Sequence, residues 1–284
     1  MKKLYVIGDP IEHSLSPKMH NAALMKLGLD RKFTYNKMRV AKRDLEKFVE
    51  KFRSEEIAGA SVTMPNKEAI IPFLDQLTIE AELIQAVNTV YKENGKVVGH
   101  NTDGIGCIKA LEEEGVSPIG KRVVLLGAGG AAKAIAFTLA LYKIEKLFII
   151  NRTLEKAEAL AISIMNKTNV HTISGSLYEL EKALKNADML INATSVGMKG
   201  ETENHTLVST NLLHSDLIVE DIVYNPRKTK LLEDAEKAGG KIVGGLNILL
   251  HQGAEQFKIF TGRMAPKEEM RKALLEALDE ISSK

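Results

Sequence analysis

The stretch RVVLLGAGGAAKA, residues 122–134, decides the fold of this chain. It begins with an apolar run typical of a buried strand, and its small residues then open a helix-length segment. Gly127, Gly129 and Ala132 match the G-x-G-x-x-G/A pattern, in which glycines permit a tight turn and a close approach of the backbone to a pyrophosphate. The free N–H groups at the start of the helix would face those phosphates. The stretch therefore predicts a dinucleotide-binding loop, with contacts at Gly127, Ala128, Gly129, Gly130 and Ala131.

Further strand-like runs follow this loop, and helix-length amphipathic segments separate most of them. Alternation of strand and helix is typical of a parallel sheet with helices on its faces. A polar stretch with glycine and proline, EEEGVSPIGK at 112–121, precedes the series. We therefore predict an α/β protein with a doubly wound parallel-sheet (Rossmann) domain at 104–245. Its strands are expected at 122–127, 146–151, 169–174, 188–195, 217–224 and 241–245.

The end of the second of these strands predicts which dinucleotide binds. An NAD site usually has Asp or Glu there, which binds the ribose hydroxyls. This chain has Asn151, followed by Arg152, Thr153 and, at the next turn, Lys156. A carboxylate would repel a 2′-phosphate, whereas amide, guanidinium, hydroxyl and ammonium groups bind it. We therefore predict NADP rather than NAD. The alternative is that the two cations belong to a solvated helix start.

The first hundred residues show a second α/β pattern, with strand-like runs at 4–9, 33–40 and 58–63. Ser16-Pro17 reads as the N-cap and first position of a helix. Asn94-Gly95 lies between two alternating runs and predicts a hairpin.

Two more helices are expected after the last Rossmann strand, at 246–262 and 266–282. Because the Rossmann strands are already assigned, we expect these helices to pack on the first domain. The predicted organisation is an N-terminal α/β substrate domain, 1–103 plus 246–284, and an NADP domain, 104–245.

The composition of the 284 residues argues against several classes of function. Thirty-nine Lys and Arg against 37 Asp and Glu leave a formal charge of +2, with no long run of one sign, so we expect no nucleic-acid partner. No apolar run approaches the roughly 18 residues of a membrane span, and the N-terminal run is too short for the core of a signal peptide. The single cysteine, Cys107, excludes an internal disulfide framework and favours a reducing cytoplasm.

Three polar stretches of the first domain each come near the end of an expected strand, where α/β proteins bind ligands: HSLSPKMHN (13–21), SVTMPNK (61–67) and NTDG (101–104). Serine beside histidine raises the hypothesis of a hydrolase, but the chain has no G-x-S-x-G elbow. The histidines show no metal-binding spacing, and one cysteine cannot complete a zinc site. Taken alone, Lys67 could be a solvated lysine, and Asp103 the acid of a helix start.

The motifs taken together resemble the shikimate dehydrogenases, and the resemblance runs through the whole chain. They appear in that family's order: GDPIEHSLSPKMHN, SVTMPNKE, AVNTV, GHNTDGIG, LLGAGGAAKAI, NRT, INATSVGM, VYNPRKTKLL and LLHQGAEQF. The resemblance implies reversible reduction of 3-dehydroshikimate to shikimate with NADPH, in the pathway to aromatic amino acids and without a metal.

The resemblance also implies roles for individual residues. Ser14 and Ser16 match the hydroxyl pair that binds the substrate carboxylate, and Lys67 and Asp103 match the pair at the reacting carbon. The remaining substrate-binding positions are Thr63, Asn88, Gln252 and Tyr224, and the nicotinamide side is expected at Thr194, Met198, Ile222 and Gly245. Which of Lys67 and Asp103 is the formal acid/base stays open.

The resemblance turns the serine–histidine stretch into an anion-binding segment. We expect Ser14 and Ser16 to alternate along extended backbone, which would point both hydroxyls the same way. His13 and His20 are then left with structural or positioning roles. The chain departs from the family at Ser61, where Asn is common, and at Phe260, where Trp is common.

Two alternatives share most of these motifs. A quinate/shikimate dehydrogenase of broader specificity is one, although NAD-using relatives tend to have an acid near the 2′-hydroxyl. A non-catalytic NADP-binding sensor is the other, and an intact Lys67 and Asp103 argue against it. The expected assembly is a monomer or a homodimer.

Overall fold

The computed structural model describes residues 1–54 and 57–282, and the chain divides into two compact units. The first contains Met1–Thr102 together with the chain from Leu250 onward, and the second contains Asp103–Leu249. Asp103 is therefore grouped with the second unit, whereas the sequence pattern placed the boundary just after it. Among the described residues, no helix combines the length and the apolar character needed to span a membrane.

The first unit is built on a mixed sheet. Within the described ranges its strands are β1 (Lys2–Gly8), β2 (Phe33–Arg39), β3 (Ile57–Val62), β4 (Gln76–Leu77), β5 (Thr89–Glu93) and β6 (Lys96–His100). The helices of this part are α1 (Ser16–Lys26), α2 (Leu45–Ser54), α3 (Asn66–Ala69) and α4 (Ile79–Ile84). The strand order is β2-β1-β3-β5-β6-β4, with β1 parallel to both neighbours and β5 antiparallel to both of its own.

Local sequence explains these elements. Asn94 and Gly95 have φ values of 50° and 79°, the left-handed backbone that a two-residue hairpin loop between β5 and β6 needs. The buried residues of α2 are Leu45, Phe48, Val49 and Phe52, a single stripe at helical spacing that packs into the core of the sheet. The short elements β4, α3 and α4 escaped prediction, because a few residues show no periodicity.

The edge strand β2 is covered at one point by a side chain. The amide of Asn21, on α1, donates from Nδ2 to the carbonyl oxygen of Tyr35 at 2.8 Å. Its Oδ1 accepts the Tyr35 backbone N–H at 3.1 Å. Both backbone groups of Tyr35 are thus satisfied by one asparagine.

The second unit is a fully parallel sheet with helices between its strands. The strands are β7 (Arg122–Leu126), β8 (Lys146–Ile150), β9 (His171–Gly175), β10 (Met189–Asn192), β11 (Ile218–Asp221) and β12 (Lys241–Val243). The helices are α5 (Asp103–Glu113), α6 (Gly130–Leu141), α7 (Leu154–Lys167), α8 (Leu180–Leu184) and α9 (Lys230–Lys237). The order β12-β11-β10-β7-β8-β9 is that of a doubly wound nucleotide-binding sheet, so the predicted fold class is confirmed.

Two strands of this sheet end three residues earlier than predicted. β10 stops at Asn192 and β11 at Asp221, whereas the apolar runs continue to 195 and 224. The side chains of these two residues accept hydrogen bonds from the backbone two residues on, at Thr194 and Val223. Those bonds turn the chain out of the sheet and into loops.

The last two helices are α10 (Gly245–Thr261) and α11 (Lys267–Ser282). The chain from Leu250 onward belongs to the first unit. A Cβ on Gly253 would lie 2.2 Å from Cε of Met19, so α10 packs closely against α1 at this point. Ion pairs Lys18–Glu280 and Lys26–Glu269 join α1 to α11.

Candidate active site

The glycine-rich loop of the second unit has the geometry of a phosphate-binding turn. Gly127 has φ +111°, and a Cβ there would lie 3.0 Å from the carbonyl oxygen of Ala193, so no other residue fits without strain. Gly129 precedes the first residue of α6, and apart from its chain neighbours no atom of the described residues lies within 4 Å of the position its Cβ would take. Ala132 is fully buried, as close helix–strand packing requires. The open space over Gly129 and the start of α6 fits a dinucleotide pyrophosphate.

The residues predicted to bind the 2′-phosphate lie where β8 ends and α7 begins. Nδ2 of Asn151 donates to the carbonyl oxygen of Thr153 at 2.8 Å, and this bond fixes the turn. Thr153 is the N-cap of α7, but its side chain makes no capping bond. Arg152, Thr153 and Lys156 are exposed to solvent. An amide, a hydroxyl and two cations at this turn fit the phosphate of NADP.

The loops after β10 and β11 are predicted to face the nicotinamide. Two buried side chains at the ends of these strands, Asn192 and Asp221, fix their conformation. Asn192 accepts the backbone N–H and the hydroxyl of Thr194 at its Oδ1, at 3.1 and 2.7 Å. Its Nδ2 donates to Oδ1 of Asp221 at 2.9 Å, and the Thr229 hydroxyl donates to Oδ2 of Asp221 at 2.6 Å. Burial raises the pKa of Asp221 to about 6, and the hydrogen bonds that it accepts oppose this rise. Asn192 and Asp221 thus lock the loops after β10 and β11 together.

The other residues expected on the nicotinamide side are close to these loops. A Cβ on Gly245 would lie 2.5 Å from the carbonyl oxygens of both Ile222 and Val223, so the start of α10 can contact the β11 loop only through glycine. Met198 is 45% exposed, which leaves its side chain free to contact a ligand. Tyr224 is partly exposed, and burial raises the pKa of its phenol.

A buried carboxyl lies beside Asp221. Glu220 is fully buried on β11, and the thiol of Cys107, on α5, donates to its Oε2 at 2.9 Å. Burial raises the pKa of Glu220 to about 8, and its Oε1 has no hydrogen-bond partner among the described residues. Because of that raised pKa, the carboxyl is protonated at neutral pH.

In the first unit, Asn88 is the centre of a buried polar cluster. Its Oδ1 accepts the Thr102 backbone N–H at 2.8 Å and the Thr89 hydroxyl at 2.7 Å. Its Nδ2 lies 3.0 Å from Oγ1 of Thr102 and 3.4 Å from Oε1 of Gln252. The structure thus brings together two of the predicted substrate residues, Asn88 and Gln252, one from a loop before β5 and one from α10.

The serine pair differs from its prediction. Leu15, between the two serines, has φ −89° and ψ −8°, so the segment is not extended. Ser14 Oγ accepts the backbone N–H of Ser16 at 3.4 Å, and α1 begins at Ser16 with Leu15, not Ser16, as its N-cap. Ser16 is therefore the first residue of the helix rather than its cap, and it is buried. Ser14 lines a cleft of about 620 Å³ in this unit, together with Lys18 and Lys37.

Thr63 and Lys67 follow the end of β3. The backbone N–H of Thr63 donates to the Ile7 carbonyl at 2.9 Å, which continues the β1–β3 ladder to the edge of the site. Lys67 is the second residue of α3, and its carbonyl accepts the N–H of Val87 at 2.8 Å. The Lys67 side chain is half-buried. Asp103, the first residue of α5 in the second unit, is also half-buried.

Sequence reasoning missed the residues that support this cluster: Tyr35, Thr89, Thr102 and Gln256. Gln256 stands four residues after Gln252, on the same face of α10, and this spacing was a usable signal. No sequence signal identified Tyr35, because a tyrosine in a strand-like run is normally interpreted as a residue of the hydrophobic core.

Three family models match consecutive parts of the chain. The shikimate dehydrogenase substrate binding domain matches residues 6–90, and shikimate / quinate 5-dehydrogenase matches residues 110–228. The shikimate 5'-dehydrogenase C-terminal domain matches residues 245–275.

Individual proteins match over nearly the full length. Shikimate dehydrogenase (NADP(+)) of Alkaliphilus metalliredigens is 45% identical over 275 residues, 95% of this chain and 95% of that protein. Shikimate 5-dehydrogenase from Listeria monocytogenes, solved in complex with shikimate and NAD, is 40% identical with a TM-score of 0.90 and covers 96% of each chain. The Thermus thermophilus enzyme, solved in complex with NADP(H) and shikimate, is 34% identical with a TM-score of 0.87, over 98% of this chain and 100% of that one.

Proposed function

Since this chain belongs to the shikimate dehydrogenase family, we propose that it catalyses the reversible, NADP-dependent oxidation of shikimate to 3-dehydroshikimate, in the biosynthesis of aromatic amino acids. The observation that carries the proposal is the pairing of two kinds of site in one chain. One unit has a glycine loop shaped for a dinucleotide, and the other has buried amides and hydroxyls around Asn88. Such groups are the hydrogen-bond partners that a polyhydroxylated ring requires.

The proposed cofactor is NADP, which supplies or accepts the hydride when bound. Arg152 and Lys156 are exposed at the turn after β8, and the residue that would be acidic in an NAD site is Asn151. Arg152 forms charge-assisted hydrogen bonds with the 2′-phosphate, and the N–H groups at the start of α6 bind the pyrophosphate.

In the substrate site, Ser14 and Ser16 bind the carboxylate, while Thr63, Asn88 and Gln252 bind the ring hydroxyls or the carboxylate. Hydride transfer to a ring carbonyl creates negative charge on its oxygen, which needs a proton donor within hydrogen-bond reach. The Lys67 ammonium can donate that proton and stabilise the developing charge in one step. Asp103 is the second member of the proposed catalytic pair.

Two further properties complete the proposal. We place the protein in the cytoplasm, which the single, buried thiol of Cys107 favours. The assembly is a monomer or a homodimer, and sedimentation in solution distinguishes the two.

A matrix of assays tests the function: shikimate and quinate, each with NADP⁺ and with NAD⁺, followed by nicotinamide absorbance. We expect strong turnover only for shikimate with NADP⁺. Comparable turnover of quinate would establish the broader shikimate/quinate activity, and comparable rates with NAD⁺ would contradict the role of Asn151 and Arg152. No turnover of any pair would favour an NADP-binding sensor.

A further inference from the structure

A chain of hydrogen bonds runs through the interior of the first unit, beneath the proposed substrate residues. The Tyr35 hydroxyl donates to Oγ of Ser61 at 2.6 Å, and Ser61 donates to Oε1 of Gln256 at 2.6 Å. Nε2 of Gln256 then donates to the Asn88 carbonyl oxygen and to Oγ1 of Thr89, both at 3.0 Å. All five residues are at most 5% exposed.

This chain ends at a residue with a proposed role in substrate binding. The Thr89 hydroxyl donates to Oδ1 of Asn88 at 2.7 Å and so orients the amide. The proposed ring-binding asparagine is therefore connected to Tyr35 through the protein interior.

The direction of the bonds follows from the available protons. An amide oxygen only accepts, so the Ser61 proton is committed to Gln256. The Ser61 oxygen then accepts the single hydroxyl proton of Tyr35. Hydrogen bonds that run in one direction strengthen one another, so the Tyr35 hydroxyl strengthens the bond by which Ser61 holds the Gln256 amide.

Packing holds the Tyr35 ring independently of its hydroxyl. The ring stacks on the imidazole of His20, with centroids 4.2 Å apart and planes within 4°. His20 itself lies against Phe257 and Phe260. The substitution Tyr35→Phe would therefore keep the stack and lose only the hydroxyl.

We propose that Tyr35, Ser61 and Gln256 are positioning residues of the substrate site, which hold the Asn88 amide in place through Thr89 and the Asn88 backbone carbonyl. The proposal rests on the proposed function and adds the residues that set the affinity for shikimate.

The first test is Tyr35→Phe in the full-length enzyme. We expect the KM for shikimate to rise by about 3- to 10-fold, the value of one hydrogen bond, with kcat within about twofold of the unsubstituted enzyme. The KM for NADP⁺ should not change. Tyr91→Phe removes the same atom from β5 of the same unit, outside the hydrogen-bonded chain, and is the matched control.

A double-mutant cycle with Asn88→Ala separates positioning from general destabilisation. If Tyr35 acts through Asn88, Tyr35→Phe changes the KM for shikimate by less than about twofold in the Asn88→Ala background. Ser61→Ala breaks the same chain without touching the aromatic stack, and should give an increase in KM of the same size as Tyr35→Phe.

Three results would overturn the inference while leaving the proposed function intact: an unchanged KM in Tyr35→Phe, an equal effect in both backgrounds, or a loss confined to kcat. Failure of the unsubstituted enzyme to oxidise shikimate would instead overturn the proposed function, and this inference with it. The two failures are thus distinguished by the unsubstituted enzyme alone.

Discussion

The two units of the chain prepare for their ligands by different means. The second unit uses backbone: a glycine at φ +111°, an open space over Gly129 and the N-terminus of α6. The first unit uses side chains, with the amide of Asn88 held by Thr89 and Thr102. A side-chain site is damaged by removing atoms, whereas a backbone site is damaged by adding them. The two units should therefore respond in opposite ways to substitution.

The largest effect, a loss of kcat, is expected when the proposed acid/base side chain is removed. Lys67→Ala should lower kcat by about 100- to 10,000-fold, the usual contribution of a positioned acid/base, at saturating shikimate and NADP⁺. Steady-state kinetics measure the loss, and circular dichroism verifies the fold. Glu68→Ala, at the exposed neighbouring position, is the control. Near-normal turnover of Lys67→Ala would remove Lys67 from the mechanism.

The next largest effect is expected at the turn after β8, where the proposed binding of the 2′-phosphate depends on charged side chains. Arg152→Ala should weaken NADP⁺ binding by roughly 1.5–3 kcal/mol, the value of a hydrogen bond to a charged group. Binding of NAD⁺, which has no 2′-phosphate, should be unaffected. Calorimetry with both cofactors measures the difference, with the exposed Lys185→Ala as the control. An equal loss for NAD⁺ would contradict the assignment.

The units also differ in the kind of polar group that they bury, and the dependence of stability on pH should reveal this difference. Asn88 and its neighbours are neutral, but Glu220 in the second unit has a pKa raised to about 8 from 4.5. Between these values the folded state keeps a proton that the unfolded chain has released. Stability therefore falls as pH rises through this window, by about 1.4 kcal/mol per pH unit for one proton.

Substitution of Glu220 by glutamine should remove that slope. Between pH 6 and 8, the free energy of unfolding of Glu220→Gln should fall less steeply than that of the unsubstituted protein, as measured by urea denaturation. Asp221, with a pKa raised to about 6, is present in both proteins, so its own contribution to the slope cancels in the comparison. Glu181→Gln, at an exposed position of α8, is the control. Parallel slopes for Glu220→Gln and the unsubstituted protein would contradict the raised pKa.

The smallest effects come from adding one methyl group to the glycine loop. Gly127→Ala forces a side chain into φ +111° and against the Ala193 carbonyl, and should destabilise the fold by about 1–3 kcal/mol. Gly129→Ala has room for its Cβ and a φ of −85°, so stability should be preserved while the KM for NADP⁺ rises several-fold. Thermal denaturation and kinetics together separate the two. Equal effects of both variants on stability would remove the distinction between the two glycines.

The sequence predicts the second unit more completely than the first. A doubly wound sheet is built from alternating strands and helices, and this alternation is visible in the sequence. The glycine pattern identifies the first strand and the helix that follows it. The first unit mixes parallel and antiparallel pairs and contains β4, only two residues long, which no periodic pattern could reveal.

The site shows the same limit. Candidate positions can be named at motif residues, because small and polar residues after strands are visible in a sequence. The hydrogen bonds that hold the Asn88 amide could not be predicted, since they depend on residues distant along the chain. The bond from Gln256 to the Asn88 carbonyl joins two such residues, and only tertiary packing creates it.

The asparagine that covers the edge of β2 has a consequence for how copies of this protein can meet. An uncovered strand edge is a template for another strand, and natural proteins block such edges to prevent aggregation. Here the Asn21 amide imitates the missing neighbour and occupies both backbone groups of Tyr35. A foreign strand could pair at this point only by displacing that amide. Asn21 thus opposes edge-to-edge association of copies of this protein. It also keeps a foreign strand from pairing with the part of β2 that carries the Tyr35 hydroxyl.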